Sequence, residues 1–331
     1  MIDVHDTAPS VLALSGGIGG AKLVLGLYHE LAPWRLAIAL NTGDDLEHMG
    51  LHVSPDVDTV MYTLAGESNE HLGWGRAGET WSFMEQTKRI GGSAWFNLGD
   101  GDLALHVRRT ELLNNGAKLS DITAQFFAAF GVQAHGWPMS DQSVRTIVET
   151  VDGRRLPFQN YFVEERCEPR ISGFIYDGAT GAKPSPSIID TLANPDLKAV
   201  VMCPSNPFVS IEPILSVPRV RAALAACVAP VIVVSPLVGG AAVKGPLAKM
   251  YKELGLKPGN AQILRHYNDF ADGFVIDHAD AAEQLELGLP VLVTKTVMSD
   301  LDDRVDLARS VLDFAKQLAV AKEPRQMSSG G

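Results

Sequence analysis

A short apolar run at residues 11–14 enters a turn with four glycines, Ser15-Gly16-Gly17-Ile18-Gly19-Gly20-Ala21-Lys22, and a helical pattern follows over residues 21–31. A second apolar run, Leu36–Leu40, comes next and ends in Asn41-Thr42-Gly43-Asp44-Asp45. Strand, helix and strand in that order close as a right-handed crossover between parallel neighbours. This unit commits the chain to an α/β fold, with helices packed on a parallel sheet. It also sets two strand ends side by side and so brings a glycine-rich turn next to a carboxylate pair. Glycines let backbone N–H groups approach a phosphate, and carboxylates hold the metal that screens its charge. The juxtaposition points to chemistry on a diphosphate.

The alternation returns further along. Residues 58–64 and 120–130 read as helices, and residues 197–202, 231–234, 273–276 and 291–294 as strands. The first two of these strands run into polar turns, Cys203-Pro204-Ser205-Asn206-Pro207 and Ser235-Pro236-Leu237-Val238-Gly239-Gly240. Ligands of open parallel sheets bind at such carboxyl ends. Between the two halves the character changes. Residues 144–150, 156–163 and 170–176 are rich in β-branched and aromatic residues that alternate with polar ones, around a turn at Asp152-Gly153. That is a hairpin signature. The expected architecture is a three-layer Rossmann-like α/β core, residues 10–135 and 185–320, with a mainly parallel sheet. A small β-rich lid over residues 136–184 is inserted in it. Residues 1–9 and 321–331 are expected to be flexible tails.

A net charge of −11 over 331 residues argues against a nucleic-acid partner, which needs a basic face. No run of eighteen apolar residues exists, so no membrane span is expected, and the polar residues 1–10 do not read as a signal peptide. Three cysteines, Cys167, Cys203 and Cys227, form no Cys-x-x-Cys pair, and an odd, sparse set is no disulfide framework. Reduced thiols in a cytoplasmic protein are expected.

Gly16, Gly17, Gly19 and Gly20 are candidate phosphate-cradling residues, with close helix–sheet packing as the alternative. The run is neither the dinucleotide pattern nor a P-loop. Lys22 either touches a phosphate or lies solvated on its helix. Asp44, Asp45 and Asp58 are the magnesium candidates, with a solvated turn or helix N-terminus as the alternative for the adjacent pair Asp44 and Asp45. Asp58 can instead cap the helix that follows it. Ser205, Asn206 and Lys244 stand in polar turns behind strands and are further candidates for ligand binding. His48 and His52 are four apart but interrupted by Gly50, so they are expected to be exposed or substrate-facing rather than zinc ligands. Asn97-Leu98-Gly99-Asp100-Gly101-Asp102 reads as a turn lined with acids, since the glutamate that closes a calcium loop is absent. His106, Arg108 and Arg109 either bring positive charge to a phosphate or form a solvated face.

Taken in order, these segments resemble the 2-phospho-L-lactate transferase family, whose members make the deazaflavin coenzyme F-420. The likeness runs from the glycine turn through Asn41-Thr42-Gly43-Asp44-Asp45, Ser54-Pro55-Asp56-Val57-Asp58-Thr59 and Trp95-Phe96-Asn97-Leu98-Gly99-Asp100. It continues through Phe158-Gln159-Asn160-Tyr161-Phe162-Val163, Pro204-Ser205-Asn206-Pro207, Lys244-Gly245-Pro246 and Thr296-Val297-Met298. In one place the chain departs from it, with Gly101 where a basic residue is expected between Asp100 and Asp102. The resemblance implies a magnesium-dependent transferase and a guanosine diphospho donor carrying a three-carbon acid (lactate, enolpyruvate or glycerate). The acceptor is the ribityl hydroxyl of the deazaflavin Fo, with Asp44 and Asp45 the candidates to orient or deprotonate it, and GMP is released. Trp74, Trp95 and Met139 are candidate walls for the flat acceptor ring. The resemblance also suggests a homodimer. The alternative is a related family of regulatory proteins that bind UDP-sugars.

Overall fold

The computed structural model describes residues 8–69, 74–242 and 245–321. Lys244 and most of both expected tails lie outside the described residues. In chain order, β1 (Val11–Ser15), α1 (Gly17–Glu30) and β2 (Leu36–Leu40) make the opening crossover. A hairpin of β3 (Leu46–His48) and β4 (Leu51–Val53) leads into α2 (Pro55–Ala65). Then come α3 (Ser82–Arg89), α4 (Asp100–Asn114), α5 (Leu119–Ala129) and β5 (His135–Pro138). A separate antiparallel sheet is built from β6 (Arg145–Thr150), β7 (Arg155–Pro157) and β8 (Ile171–Asp177). The chain continues with α6 (Pro186–Ala193), β9 (Ala199–Met202), α7 (Glu212–Ser216), α8 (Val220–Ala226) and β10 (Val231–Val234). A small hairpin of β11 (Leu237–Val238) and β12 (Ala241–Ala242) follows, then α9 (Leu247–Glu253), α10 (Asn260–Arg265), β13 (Gly273–Asp277), β14 (Val291–Thr294) and α11 (Leu301–Ala321).

The central sheet has seven strands in the order β14-β13-β10-β9-β1-β2-β5, and every pairing in it is parallel. Strands β1, β2, β9 and β10 are buried along their whole length, as strands covered on both faces must be. Alternate residues serve opposite cores. Leu12, Leu14, Ala37 and Ala39 pack with α6 to α10 and the small sheet, whereas Val11, Ala13, Leu36 and Ile38 pack with α1, α2, α4, α5 and α11. Helices α1 and α11 approach so closely that a Cβ on Gly26 would overlap the Arg304 carbonyl. The strand order reverses between β1 and β9, because the chain moves outward through β2 and β5 and then returns to the other side of β1. A crevice opens at such a reversal, at the carboxyl ends of the strands.

Several elements differ from the sequence reading. Helix α1 begins at Gly17 and absorbs the glycine run, since those glycines press directly on a neighbouring loop. Helix α2 begins at Pro55, whose fixed φ suits a first helical turn. The strand expected over residues 156–163 ends at Pro157, and Asn160–Glu164 is instead a helical turn. Phe158 and Tyr161 are three apart and both buried, a spacing that suits a turn of helix and not a pleat. Asp100 and Asp102 lie not in an open turn but in the first turn of α4. Residues 136–138, expected at the start of the lid, belong to β5 and pair with β2.

Candidate functional site

A cavity of about 810 Å³ opens at the reversal point. Its floor includes Gly16, Gly17, Ile18 and Gly19 behind β1 and Pro204, Ser205 and Asn206 behind β9. Phe158, Gln159, Phe162 and Val163 from the inserted segment line it too, so that segment adjoins the glycine turn.

The glycines are needed for close packing. A Cβ on Gly19 would overlap the Pro204 carbonyl oxygen, and one on Gly20 would come 2.5 Å from Ser15 Oγ and 2.8 Å from Ser205 Oγ. Gly17 holds φ at +67°, which favours glycine. The Gly17 N–H donates to Asp56 Oδ1 at 2.7 Å. Ile18 and Gly19 sit in the first turn of α1, where helix geometry supplies no carbonyl partner for the N–H, and both line the cavity. Lys22 lines it as well, with Nζ donating to the Met298 carbonyl at 2.8 Å.

The acid cluster is organised by Asn41 at the end of β2. Its Nδ2 donates to Asp44 Oδ1 at 2.8 Å, to Asp56 Oδ2 at 2.9 Å and to the Val209 carbonyl at 3.2 Å. Its Oδ1 accepts the Gly43 N–H at 2.8 Å. Gly43 is confined, because a Cβ there would come 2.6 Å from Pro213 Cβ and 2.7 Å from Thr146 Oγ1. Asp44 Oδ2 accepts from Gln159 Nε2 at 3.1 Å. Asp45 Oδ2 accepts from Ser54 Oγ at 2.9 Å and meets His52 Nε2 at 3.0 Å. Asp45 Oδ1 is buried with no hydrogen-bond partner among the described residues. Burial, then the negative charges of Asp56 and Asp45, raise the Asp44 carboxyl well above the usual range. Burial likewise pushes Asp56 up to about 6.

These residues fit a magnesium ion. Among the described residues no three His, Cys, Asp or Glu side chains form a ready-made cage. Magnesium does not require one, since it keeps waters and substrate phosphates around one or two carboxylates. Asp44 lines the cavity, Asp45 carries a bare buried oxygen, and a cation would offset both the burial and the neighbouring negative charges that raise Asp44. Asp58 is placed differently. Both of its oxygens accept from the buried guanidinium of Arg109 on α4, so its carboxylate is already paired. Arg109 is thereby part of neither a solvated face nor a free phosphate clamp, and Arg108 is exposed and paired with Glu111.

The cavity's remaining walls are largely aromatic. Trp74, Trp95, Phe96 and the stacked pair Phe158 and Phe162 line it, whereas Met139 is fully buried in the core. His48 is buried against Trp95 and Phe96 rather than exposed, and burial holds its pKa down. At one wall Tyr62 donates its hydroxyl proton to Asp102 at 2.5 Å, and burial pushes the Asp102 carboxyl up to about 6. At Gly101 the space beside Cα is filled by Arg76 and Glu79, and Glu79 accepts the N–H groups of Gly101 and Asp102 at 2.6 and 3.0 Å. Ser205 is buried at the cavity floor, and Asn206 Oδ1 accepts the Phe208 N–H at 3.0 Å. Sequence reasoning did not single out Asn41, Tyr62 or Gln159 as site residues. Asn41 stands inside the conspicuous acid motif and was legible there; Gln159 stood in an expected strand, and only its place in a segment shared with the family marked it.

A parallel sheet with this cavity at its reversal point defines a ligand-handling α/β protein of the doubly-wound kind. The sequence pattern of the family described as "2-phospho-L-lactate transferase CofD" matches residues 11–308. A phosphoenolpyruvate transferase of Kitasatospora aureofaciens is 38% identical over 317 residues, 93% of this chain and 98% of the relative. A 2-phospho-L-lactate transferase of Methanocaldococcus jannaschii is 38% identical over 311 residues, 93% of this chain and 99% of the relative. The chain belongs to the 2-phospho-L-lactate transferase CofD family, and it is a transferase of that family. A crystal structure of a UPF0052-family protein from Bacillus halodurans has the same fold, with a TM-score of 0.62 at 14% identity over 92% of this chain and 99% of that one. No described helix is long and apolar enough to cross a membrane.

Proposed function

We propose that the chain moves a phosphate-linked three-carbon acid from a guanosine diphospho donor to the terminal ribityl hydroxyl of the deazaflavin Fo, releasing GMP, in coenzyme F-420 synthesis. The observation that carries this reading is that one cavity holds a helix N-terminus, an acid cluster and a set of aromatic walls. Two relatives, a phosphoenolpyruvate transferase and a 2-phospho-L-lactate transferase, support the kind of group moved. The N–H groups of Ile18 and Gly19, with the Ser205 hydroxyl, hold the diphosphate. Lys22 and Asn206 stand beside it, and Lys244 is proposed to join them. Trp74, Trp95 and Phe96 face the flat ring of the acceptor. Asp44 and Asp45 would hold magnesium, which would supply positive charge to stabilise the phosphoryl group under attack and the departing GMP. Asp44 or Asp45 orients the acceptor hydroxyl and takes its proton. The hydroxyl oxygen bonds to the phosphorus that bears the acid, and the bond from that phosphorus to the GMP oxygen breaks. The segment over the cavity limits water, which competes for the same phosphorus.

The test is mass spectrometry of reactions containing Fo, magnesium and guanylylated lactate, enolpyruvate or glycerate. One donor should give a phosphodiester of Fo together with an equal amount of GMP. Absence of that product from all three donors would sink the proposal.

A further inference from the structure

We infer that Gln159 is a positioning residue whose side-chain amide, brought in by the inserted segment, fixes the Asp44 carboxylate in the orientation that binds the metal. The inference rests on the metal reading of Asp44 given above. The two oxygens of Asp44 are held from opposite parts of the molecule. Oδ1 takes its hydrogen bond from Asn41, at the end of a core strand, and Oδ2 takes its bond from Gln159, 115 residues further along the chain. With a donor on each oxygen, the carboxylate cannot rotate without breaking both bonds. Without Gln159, Oδ2 loses its amide donor and that restraint on rotation is removed. The donor is neutral, so it orients Asp44 without cancelling the charge that a divalent cation needs, as a lysine or arginine would.

Gln159 is itself fixed. It is buried, and its neighbours along the chain are anchored: Phe158 stacks on Phe162, and the Tyr161 hydroxyl accepts from Lys249 Nζ at 3.2 Å. The same inserted segment makes two further bonds to the acid loop. The Thr146 N–H donates to the Gly43 carbonyl at 2.6 Å, and Arg145 Nη1 donates to the Thr42 carbonyl at 3.3 Å. Three consecutive residues, Thr42, Gly43 and Asp44, are therefore held by one segment. Docking of that segment and assembly of the acid site become a single event.

Loss of a hydrogen-bond partner behind a metal ligand typically lowers metal affinity about 10–100-fold. The probe is Mn²⁺, titrated into the full chain and followed by electron paramagnetic resonance, with thermal unfolding measured on the same samples. The native chain should bind Mn²⁺ and Asp44→Asn should lose most of that binding. Gln159→Met should bind it at least about tenfold more weakly while melting close to the native chain. Tyr161→Phe, which alters the segment's contact with Lys249 and not the one with Asp44, should bind it as the native chain does. If Asp44→Asn loses Mn²⁺ and Gln159→Met does not, the role of Gln159 is overturned and the metal reading stands. If Tyr161→Phe weakens Mn²⁺ as much as Gln159→Met, the specific hydrogen bond is overturned in favour of general loosening. If the native chain binds no Mn²⁺, or Asp44→Asn binds it normally, the metal reading falls and takes this inference with it. Should Gln159→Met fail to fold, Gln159→Leu, which likewise has no donor to give, takes its place; affinity within twofold of native then overturns the inference.

Discussion

Asn41 shares its amide among Asp44, Asp56 and the Val209 carbonyl, so one neutral donor holds two carboxyl groups close together. Asp45→Asn should therefore fold as the native chain does, since the bonds from Ser54 and His52 have an oxygen left to meet, yet transfer should be almost abolished. Full activity of this variant at limiting magnesium would remove Asp45 from the site. Asp56 gives a different signature. Its carboxyl stands at about 6 in the fold against 3.8 for an ordinary aspartate. The folded chain thus keeps a proton that the unfolded chain has released, and the resulting stability is present below the unfolded pKa and lost as pH rises from about 4 to about 6. Asp56→Asn should gain on the native chain by roughly 1 kcal/mol between about pH 5 and about pH 7.5 in metal-free buffer. Urea unfolding at the two pH values measures this, and a constant difference would mean that Asp56 titrates as an exposed acid. At this scale the acid motif was legible in the sequence, because adjacent acids after an apolar run are rare enough to notice. The proton affinity of Asp56 was not, since it comes from burial and from neighbours brought in by folding.

Helices α2 and α4 are joined through Asp58 and Arg109, both buried, with the guanidinium also set over the Phe126 ring of α5. Arg109→Met should cost about 3–5 kcal/mol, because it strands a buried carboxylate beside Asp45. Adding Asp58→Asn should recover part of that loss. Chemical denaturation of the single and double variants measures both effects, and an Arg109→Met chain as stable as native would mean that Asp58 is discharged in some other way. The central elements were readable from apolar runs, which four-residue buried strands such as β10 display plainly. β5 was not, because His-Gly-Trp-Pro carries no β-branched residue; its glycine is set by the Phe127 ring, which a Cβ would overlap. The helical turn at Asn160–Glu164 hid inside an aromatic stretch that fits either period.

The cavity belongs to the molecule as a whole, since residues from both halves and from the inserted segment line it. A ligand bound across it should stabilise the entire fold, by roughly 2.7 kcal/mol at a hundred times its dissociation constant. GDP with magnesium should accordingly raise the melting temperature more than UDP, a UDP-sugar or NAD. A larger shift with a UDP-sugar would overturn the guanosine assignment. A parallel sheet was foreseeable from the strand–helix–strand order, but strand order was not, because it is set by contacts between residues nearly two hundred positions apart, such as Leu12 and Val200. The seat of Arg304 against Gly26 has a consequence for how such a chain is made. The first helix leaves the ribosome long before the last one, and its face against α11 must wait, uncovered, until nearly the whole chain has been synthesised. Release of nascent chains stalled short of α11 should therefore yield aggregation-prone, chaperone-bound intermediates, whereas chains stalled with α11 clear of the exit tunnel should acquire protease resistance in a single step.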